Sequence, residues 1–295
     1  MSKNQQKQAY LYALSAVLFW STVATAFKLS LRVLDPIQLL FYAAVTSTLV
    51  LGTIVVIQGK VLAVFSCTRR QYVKSLGLGL LNPCAYYLVL LQAYDLLPAQ
   101  EAQPLNYTWA IALALLSIPL LKQRLTLWVL LGGMVSYVGV FVISTRGDVL
   151  SFRFSDPLGV GLALFSTIIW ALYWIFSTRD TRDPIVGLFL NFVFGLPFLF
   201  VVCVLFSNVQ VAVQGLYGAI YVGFFEMGLT FVLWLSALKR TDSTARIGNL
   251  IFLSPFLSLV FIHFILGEHI YSSTFVGLLL IIAGLIVQQR KSRVV

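Results

Sequence analysis

Two carboxylates stand inside spans, one in an apolar stretch and one on a polar helix. Glu226 sits inside YVGFFEMGLTFVLW, with apolar helix on both sides. An ionisable group near a bilayer centre costs at least ~2.5 kcal/mol, so one that persists is a lead to function. Glu226 is suited to carrying a proton or meeting a substrate ammonium group, and the plainer reading is a protonated side chain that hydrogen-bonds a neighbouring helix. Glu101 belongs to QEAQPLNYTW, together with Gln100, Gln103, Asn106, Tyr107 and Trp109. At about 100° per residue, Glu101, Leu105 and Thr108 share one stripe and Gln103, Asn106 and Ala110 another, with Trp109 between them. A helix polar over so broad an arc faces water or a ligand. A Glu101 simply solvated at the outer interface is the alternative. Glu226 and Glu101 are therefore the proton-coupling candidates.

Tryptophan adds a second chemistry. Trp20 and Trp170 stand 150 residues apart in similar settings, and Trp174 follows one turn after the latter. Well inside a span, an indole N–H needs a partner and the flat ring makes a wall for an apolar or aromatic ligand; ordinary packing is the competing reading. Tyr86 and Tyr87 beside Asn82-Pro83, Asn191, Arg246 and Asn249 extend the set, and Arg246 could neutralise a carboxylate. The candidate substrate-binding residues are thus Trp20, Tyr86, Glu101, Gln103, Asn106, Trp109, Trp170, Trp174, Glu226, Arg246 and Asn249. His263 and His269 read as interface residues, and Glu268, which aligns with Arg124 of the first half, as a cap or local pair at a helix junction. Cys67, Cys84 and Cys203 have no CxxC spacing, so neither a disulfide framework nor a metal site is expected. No Walker sequence, GxGxxG or GxSxG occurs, which leaves ATP-driven pumping, cofactors and hydrolase chemistry without support.

The elements that hold these residues follow from composition. Sixty per cent hydrophobic and 10% charged residues, with a mean hydropathy of +0.94, exceed what one globular core hides. Roughly 20 helical residues cross a ~30 Å core, and ten such stretches occur at about 9–28, 37–57, 74–94, 99–121, 125–145, 158–178, 185–206, 213–237, 243–266 and 272–289. Asp35-Pro36, Asp156-Pro157 and Asp183-Pro184 mark helix starts, Asp capping the first amides and Pro giving up one that has no partner. Pro83, Pro104, Pro119, Pro197 and Pro255 fall inside spans and can kink them. Gly132 with Ser136, and Gly277 with Gly284, form small faces expected to pack helix on helix.

The chain also reads twice. Asp35-Pro36 returns 148 residues later as Asp183-Pro184, while Gly79 and Gly133 return 144 residues later as Gly223 and Gly277. The halves are 1–147 and 148–295, five spans each. Five being odd, the second half enters the membrane inverted. The expected fold is an all-α integral membrane protein of ten helices in two inverted five-helix repeats. The net charge of +10 is topological: 16 of 20 Lys and Arg fall on one side of this scheme and only Lys28, Arg32, Arg146 and Arg153 on the other. That split puts both termini in the cytoplasm and gives no reason to expect nucleic acid.

With LFWSTVATAFK in the first span, NYTW in the fourth, LSPFLSLVFIHFILGEHI across the ninth and GLLLIIAGLIV in the tenth, the chain resembles the EamA-type members of the drug/metabolite transporter superfamily over its whole length. The FWST and NYxW stretches are similar to those of YddG-type aromatic amino-acid exporters, although Ala110 stands where those exporters commonly have proline. This resemblance implies ten helices around a central cavity, alternating access, and export of small metabolites, amino acids and aromatic ones first, across a bacterial inner membrane. Uptake or exchange of a nucleoside, vitamin or drug is the alternative, a membrane enzyme or scaffold a more distant one. The partners expected are a small-molecule substrate and the lipid bilayer, with the protein a monomer or weak homodimer.

Overall fold

The computed structural model describes residues 3–122, 127–150, 154–177, 179–240, 247 and 250–288, and regular structure within them is helical. In order these are α1 (Lys3–Leu31), α2 (Pro36–Ile57), α3 (Val61–Phe65), α4 (Arg69–Gly79), α5 (Tyr86–Leu96), α6 (Ala99–Tyr107), α7 (Trp109–Leu121), α8 (Leu127–Ser144), α9 (Pro157–Ser177), α10 (Pro184–Phe206), α11 (Val213–Tyr221), α12 (Thr230–Lys239), α13 (Ser254–Phe261) and α14 (Ser272–Gln288). A kink at Leu80–Ala85 joins α4 to α5, and π-helical turns at Val222–Leu229 and Ile262–Leu266 join α11 to α12 and extend α13. Seven stretches among the described residues are long and apolar enough to cross a membrane, and three shorter apolar helices cover 130–144, 250–266 and 272–287.

The Asp-Pro starts hold. Asp35 caps α2 in a capping box with Gln38, Asp183 accepts from the amides of Ile185 and Val186, and Asp156 accepts from Gly159 at 2.7 Å. Proline acts unevenly. At Asn82, beside Pro83, the backbone turns extended (φ −144°, ψ 115°) and kinks the span between α4 and α5, whereas α10 runs unbroken through Pro197. Pro255 lies inside the apolar helix that covers 250–266, just after the 3-10 turn Leu250–Leu253 where α13 begins.

Two compact units form, each drawing on both halves of the sequence: Met1–Cys84 with Asp180–Leu266, and Ala85–Arg179 with Gly267–Val295. In the first, α2 and α10 pack antiparallel: Ser207 near the end of α10 hydrogen-bonds Asp35 at the start of α2, Phe41 meets Phe200, and Gly52 leaves room for the ring of Phe189. Gly79 lies against the backbone carbonyl of Asn191, and Gly223 against that of Ala43. These are one contact made twice, since 43 and 191 differ by 148 and 79 and 223 by 144. A Cβ at either glycine would enter the opposing backbone, so Gly is required at both.

In the second unit α8 and α14 pack antiparallel through the small faces. Gly139 abuts Gly277, Gly284 abuts Gly132 and Ser136, and the Ser136 hydroxyl donates to the Ile281 carbonyl at 3.0 Å. Close backbone approach replaces the hydrophobic driving force that lipid removes.

Candidate functional site

In the second unit the fourth span breaks at Thr108 (φ −70°, ψ −2°), whose hydroxyl donates to the Leu105 carbonyl at 2.7 Å and competes with the helical ladder. The break leaves Asn106 at the end of α6 and Trp109 at the start of α7, both half-buried. Tyr86 donates to Asn106 Oδ1 at 3.2 Å, Asn106 Nδ2 donates to Ser166 Oγ at 3.1 Å, and Ser166 donates to the Ala163 carbonyl at 2.7 Å. A primary amide has two donors and two lone pairs. This directed chain uses one of each and leaves Asn106 a donor and an acceptor for a ligand.

Aromatic rings back that amide. Tyr86 stacks on Trp170 at 4.4 Å and 25°, Trp170 stacks on Tyr173 at 5.4 Å, and Trp174 stands edge-on to Trp170 at 5.8 Å. Tyr86 and Trp170 are buried, at 4% and 8% exposure, so they support the site from behind. Trp174 is half-buried, and its indole N–H has no hydrogen-bond partner among the described residues; the same holds for Oε1 of Gln103, which is 5% exposed.

Glu101 does something other than face water. It is fully buried and ion-paired to Nε of Arg146 at 2.8 Å, and Ser155 donates to its second oxygen. Arg146 occupies a left-handed turn (φ 52°) after α8, with its guanidinium 5.4 Å from the Tyr271 ring centre. The bond to Glu101 holds its proton above the ordinary arginine range. Adjacent residues are clasped as well. Glu268 accepts from the amides of Ala99 and Gln100 and so caps α6, while the Gln100 side chain bridges the His269 carbonyl, the Tyr271 amide and the Thr274 hydroxyl. Glu268 thus caps a helix 169 residues away in sequence and not its own junction; Arg124 lies outside the described residues.

In the first unit Trp20 is half-buried and meets Trp234 at 5.4 Å and Phe231 at 5.8 Å, both on α12. Trp170 likewise meets Tyr86 on α5, so each tryptophan packs on the third span of the opposite half. Glu226 is half-buried within the π turn Val222–Leu229, and Asn82, 144 residues earlier, sits at the kink Leu80–Ala85. Each is tied to a neighbouring helix: Ser47 of α2 donates to the Met227 carbonyl at 3.0 Å, and Cys84 donates to the Gly195 carbonyl of α10 at 3.3 Å. π turns interrupt helices preferentially at functional positions. Asn82 is fully buried, and its side-chain amide has no partner among the described residues. Arg246 and Asn249 lie outside the described residues.

An ionic cluster in the first unit joins the α3–α4 segment to the start of α10. Arg182 pairs with Asp180 at 2.6 Å and donates to Ser75, Lys74 lies 3.8 Å from Asp180, and Lys60 pairs with Asp183 at 2.8 Å. Burial pushes both carboxyls up, but hydrogen bonds and charge from Arg182 and Lys74 on Asp180, and from Lys60 on Asp183, outweigh it and hold them below the usual range. A depressed folded value means stability present above the unfolded value of about 3.9 and lost as pH falls through the folded one. The unfolding temperature of the purified protein is thus expected to drop on acidification below about pH 4, and less steeply in Asp180→Asn. Equal slopes for the two proteins would remove this role from Asp180.

Ser166, Tyr173, Arg146 and Ser155 escape a reading of the sequence. Only Ser166 carries a signal there, one turn before Trp170 on the same helical face.

Apolar helices that cross a membrane, interrupted at polar π turns and carrying half-buried amide and indole groups, define a multi-pass membrane protein built to pass solutes. The chain belongs to the EamA-like transporter family, whose model matches residues 7–145 and 157–288. Among similar proteins are an uncharacterized transporter of Clostridium kluyveri, 24% identical over 97% of this chain and 94% of its own length, and the aromatic amino acid exporter YddG of Ancylobacter novellus, 26% identical over 86% and 87%. A crystal structure 22% identical, covering 96% of each chain with a TM-score of 0.67, shares the fold.

Proposed function

We propose that the protein exports a small zwitterionic metabolite, an amino acid and foremost an aromatic one, across the bacterial inner membrane by alternating access. The observation that carries this reading is Asn106, held by Tyr86 and Ser166 with a donor and an acceptor to spare, beside the stacked Trp170. A donor suits a carboxylate, an acceptor suits an ammonium group, and the half-buried indoles of Trp109 and Trp174 suit an aromatic side chain. The similarity to the Ancylobacter novellus exporter supports the same substrate class. Ten crossing helices in two inverted repeats, 1–147 and 148–295, frame the proposal. The antiparallel packing of α2 on α10 and of α8 on α14, equivalent helices in the two halves, supports the inversion, and the 16 to 4 charge split supports cytoplasmic termini.

Proteoliposomes loaded with labelled phenylalanine, tryptophan, a nucleoside and a vitamin test the substrate class. Saturable flux of the aromatic amino acids is expected. Asn106→Leu is expected to cut it at least tenfold, since a hydrogen bond to a charged group is worth about 1.5–3 kcal/mol. Flux of the nucleoside or vitamin without the amino acids would overturn the assignment.

A further inference from the structure

Ser21, Thr22 and Ser30 of α1 donate back to the carbonyls of Val17, Phe19 and Ala26 at 2.6, 2.6 and 2.7 Å, which satisfies their hydroxyls inside the helix. Thr25 on the same helix departs from this: it is 3% exposed, and its hydroxyl has no hydrogen-bond partner among the described residues. The hydroxyl of Ser258 on α13, fully buried, has none either. Two unmet hydroxyls inside membrane spans are costly, and lipid offers them nothing. They also belong to one place. Ser21 meets Ser254 at 3.3 Å across 233 residues, and the same 233 relates Thr25 to Ser258. Farther along, Leu29 and Val33 line a common cleft with Phe261 and Ile265, so α1 and α13 run in the same direction and keep that register. Thr25 and Ser258 thus stand at one level, a turn beyond the Ser21–Ser254 contact.

The backbone beside these hydroxyls is irregular. The 3-10 turn Leu250–Leu253 leads into α13, and Pro255 has no amide to give the Ile251 carbonyl. Ser21 commits its proton to Val17, so its oxygen is left to accept. Broken helices whose freed carbonyls and hydroxyls hold a cation inside the membrane are a device of secondary transporters. The group contains oxygen alone, which suits a hard cation, and no carboxylate, which leaves a divalent ion without the charge it needs. One negative charge is brought to α1 by Glu226, which belongs to the π turn whose Tyr221 and Phe225 touch Thr22 and Phe19. We propose that the seam between α1 and α13 is a sodium site, with Thr25 and Ser258 as its side-chain ligands and Ser21 and Ser254 closing it one turn below. The assignment concerns the ion and is independent of which solute the protein carries.

The test is the unfolding temperature of the purified protein in sodium chloride against choline chloride at equal ionic strength. Sodium at about 100 mM is expected to raise it by about 2–4 °C, because an ion bound only by the folded state stabilises that state. Thr25→Val and Ser258→Ala remove one oxygen and little else, and each is expected to weaken the apparent sodium affinity at least about tenfold. Thr25→Ser is expected to keep it, and so is Thr48→Val, whose hydroxyl bonds the Ala44 carbonyl within α2. Equal unfolding temperatures in the two salts mean that water alone bridges the hydroxyls and overturn the site, as does a sodium response that survives in both Thr25→Val and Ser258→Ala. Wild type supplies a second measurement that no misfolded variant can confuse. Radioactive sodium is expected to bind saturably and to be displaced by unlabelled sodium and not by potassium; no saturable binding, or equal displacement by potassium, refutes the assignment.

Discussion

Arg146→Met is expected to lower the unfolding temperature of the purified protein more than any single change to a lipid-facing side chain. The substitution leaves the carboxylate of Glu101, which is fully buried, with Ser155 as its remaining described partner. Removing one partner of a fully buried ion pair costs ~3–5 kcal/mol, but the arginine side chain keeps 44% exposure, so solvent screens part of the interaction and about 2 kcal/mol is expected. A neutral partner should relieve the burden: Glu101→Gln with Arg146→Met is expected to be more stable than Arg146→Met alone. Asn106 is five residues beyond Glu101 on the same short helix, so the single variant is also expected to raise the substrate KM. If Arg146→Met unfolds with wild type and the double variant gains nothing, the pair is not what fixes α6.

Glu226→Gln is expected to abolish uphill accumulation in proteoliposomes while downhill flux persists. Glutamine keeps the volume and hydrogen bonding of a protonated glutamate but cannot release a proton, so a carrier coupled through this position loses its drive without losing its path. The reduction expected in gradient-driven accumulation is tenfold or more, equivalent to at least ~1.4 kcal/mol of lost coupling. Accumulation and a pH profile identical to wild type would show that Glu226 is structural. The other half of the sequence makes a useful contrast, because Asn82, 144 residues before Glu226, is incapable of titrating. Asn106 and Trp109 break the repeat too, being matched by Leu250 and Leu253.

Much of the scaffold is legible in the sequence because local chemistry determines it. An Asp-Pro pair caps a helix wherever it occurs, and the small residues of the fifth and tenth spans have no use except close approach. Glu101 shows where such reasoning stops. Its polar neighbours point to water, but the charge it meets is 45 residues away in a left-handed turn, and no local pattern brings the two together. Asn106 and Trp170 were readable as candidates from their types and depth, whereas their connection through Tyr86 and Ser166 depends on how α5, α6 and α9 pack. The π turns are similarly tertiary. Matching Asn82 to Glu226 marks the position, but the kink at the one and the π turn at the other are held by contacts with α10 and α2, through Gly195 and Ser47.

The exchanged glycine contacts bear on how such a chain arises and assembles. Gly79 of the first half rests on Asn191 of the second, Gly223 of the second rests on Ala43 of the first, and Trp20 and Trp170 cross over in the same sense. Residues 1–147 and 148–295 thus keep partner surfaces in each other. Synthesis of the first half alone leaves those glycine faces uncovered, so the nascent protein stays incomplete in the membrane until α10 and α11 have followed it in. Substitutions at one glycine are then constrained by a backbone made more than a hundred residues later, and the two halves can diverge in their polar residues while their seams stay fixed.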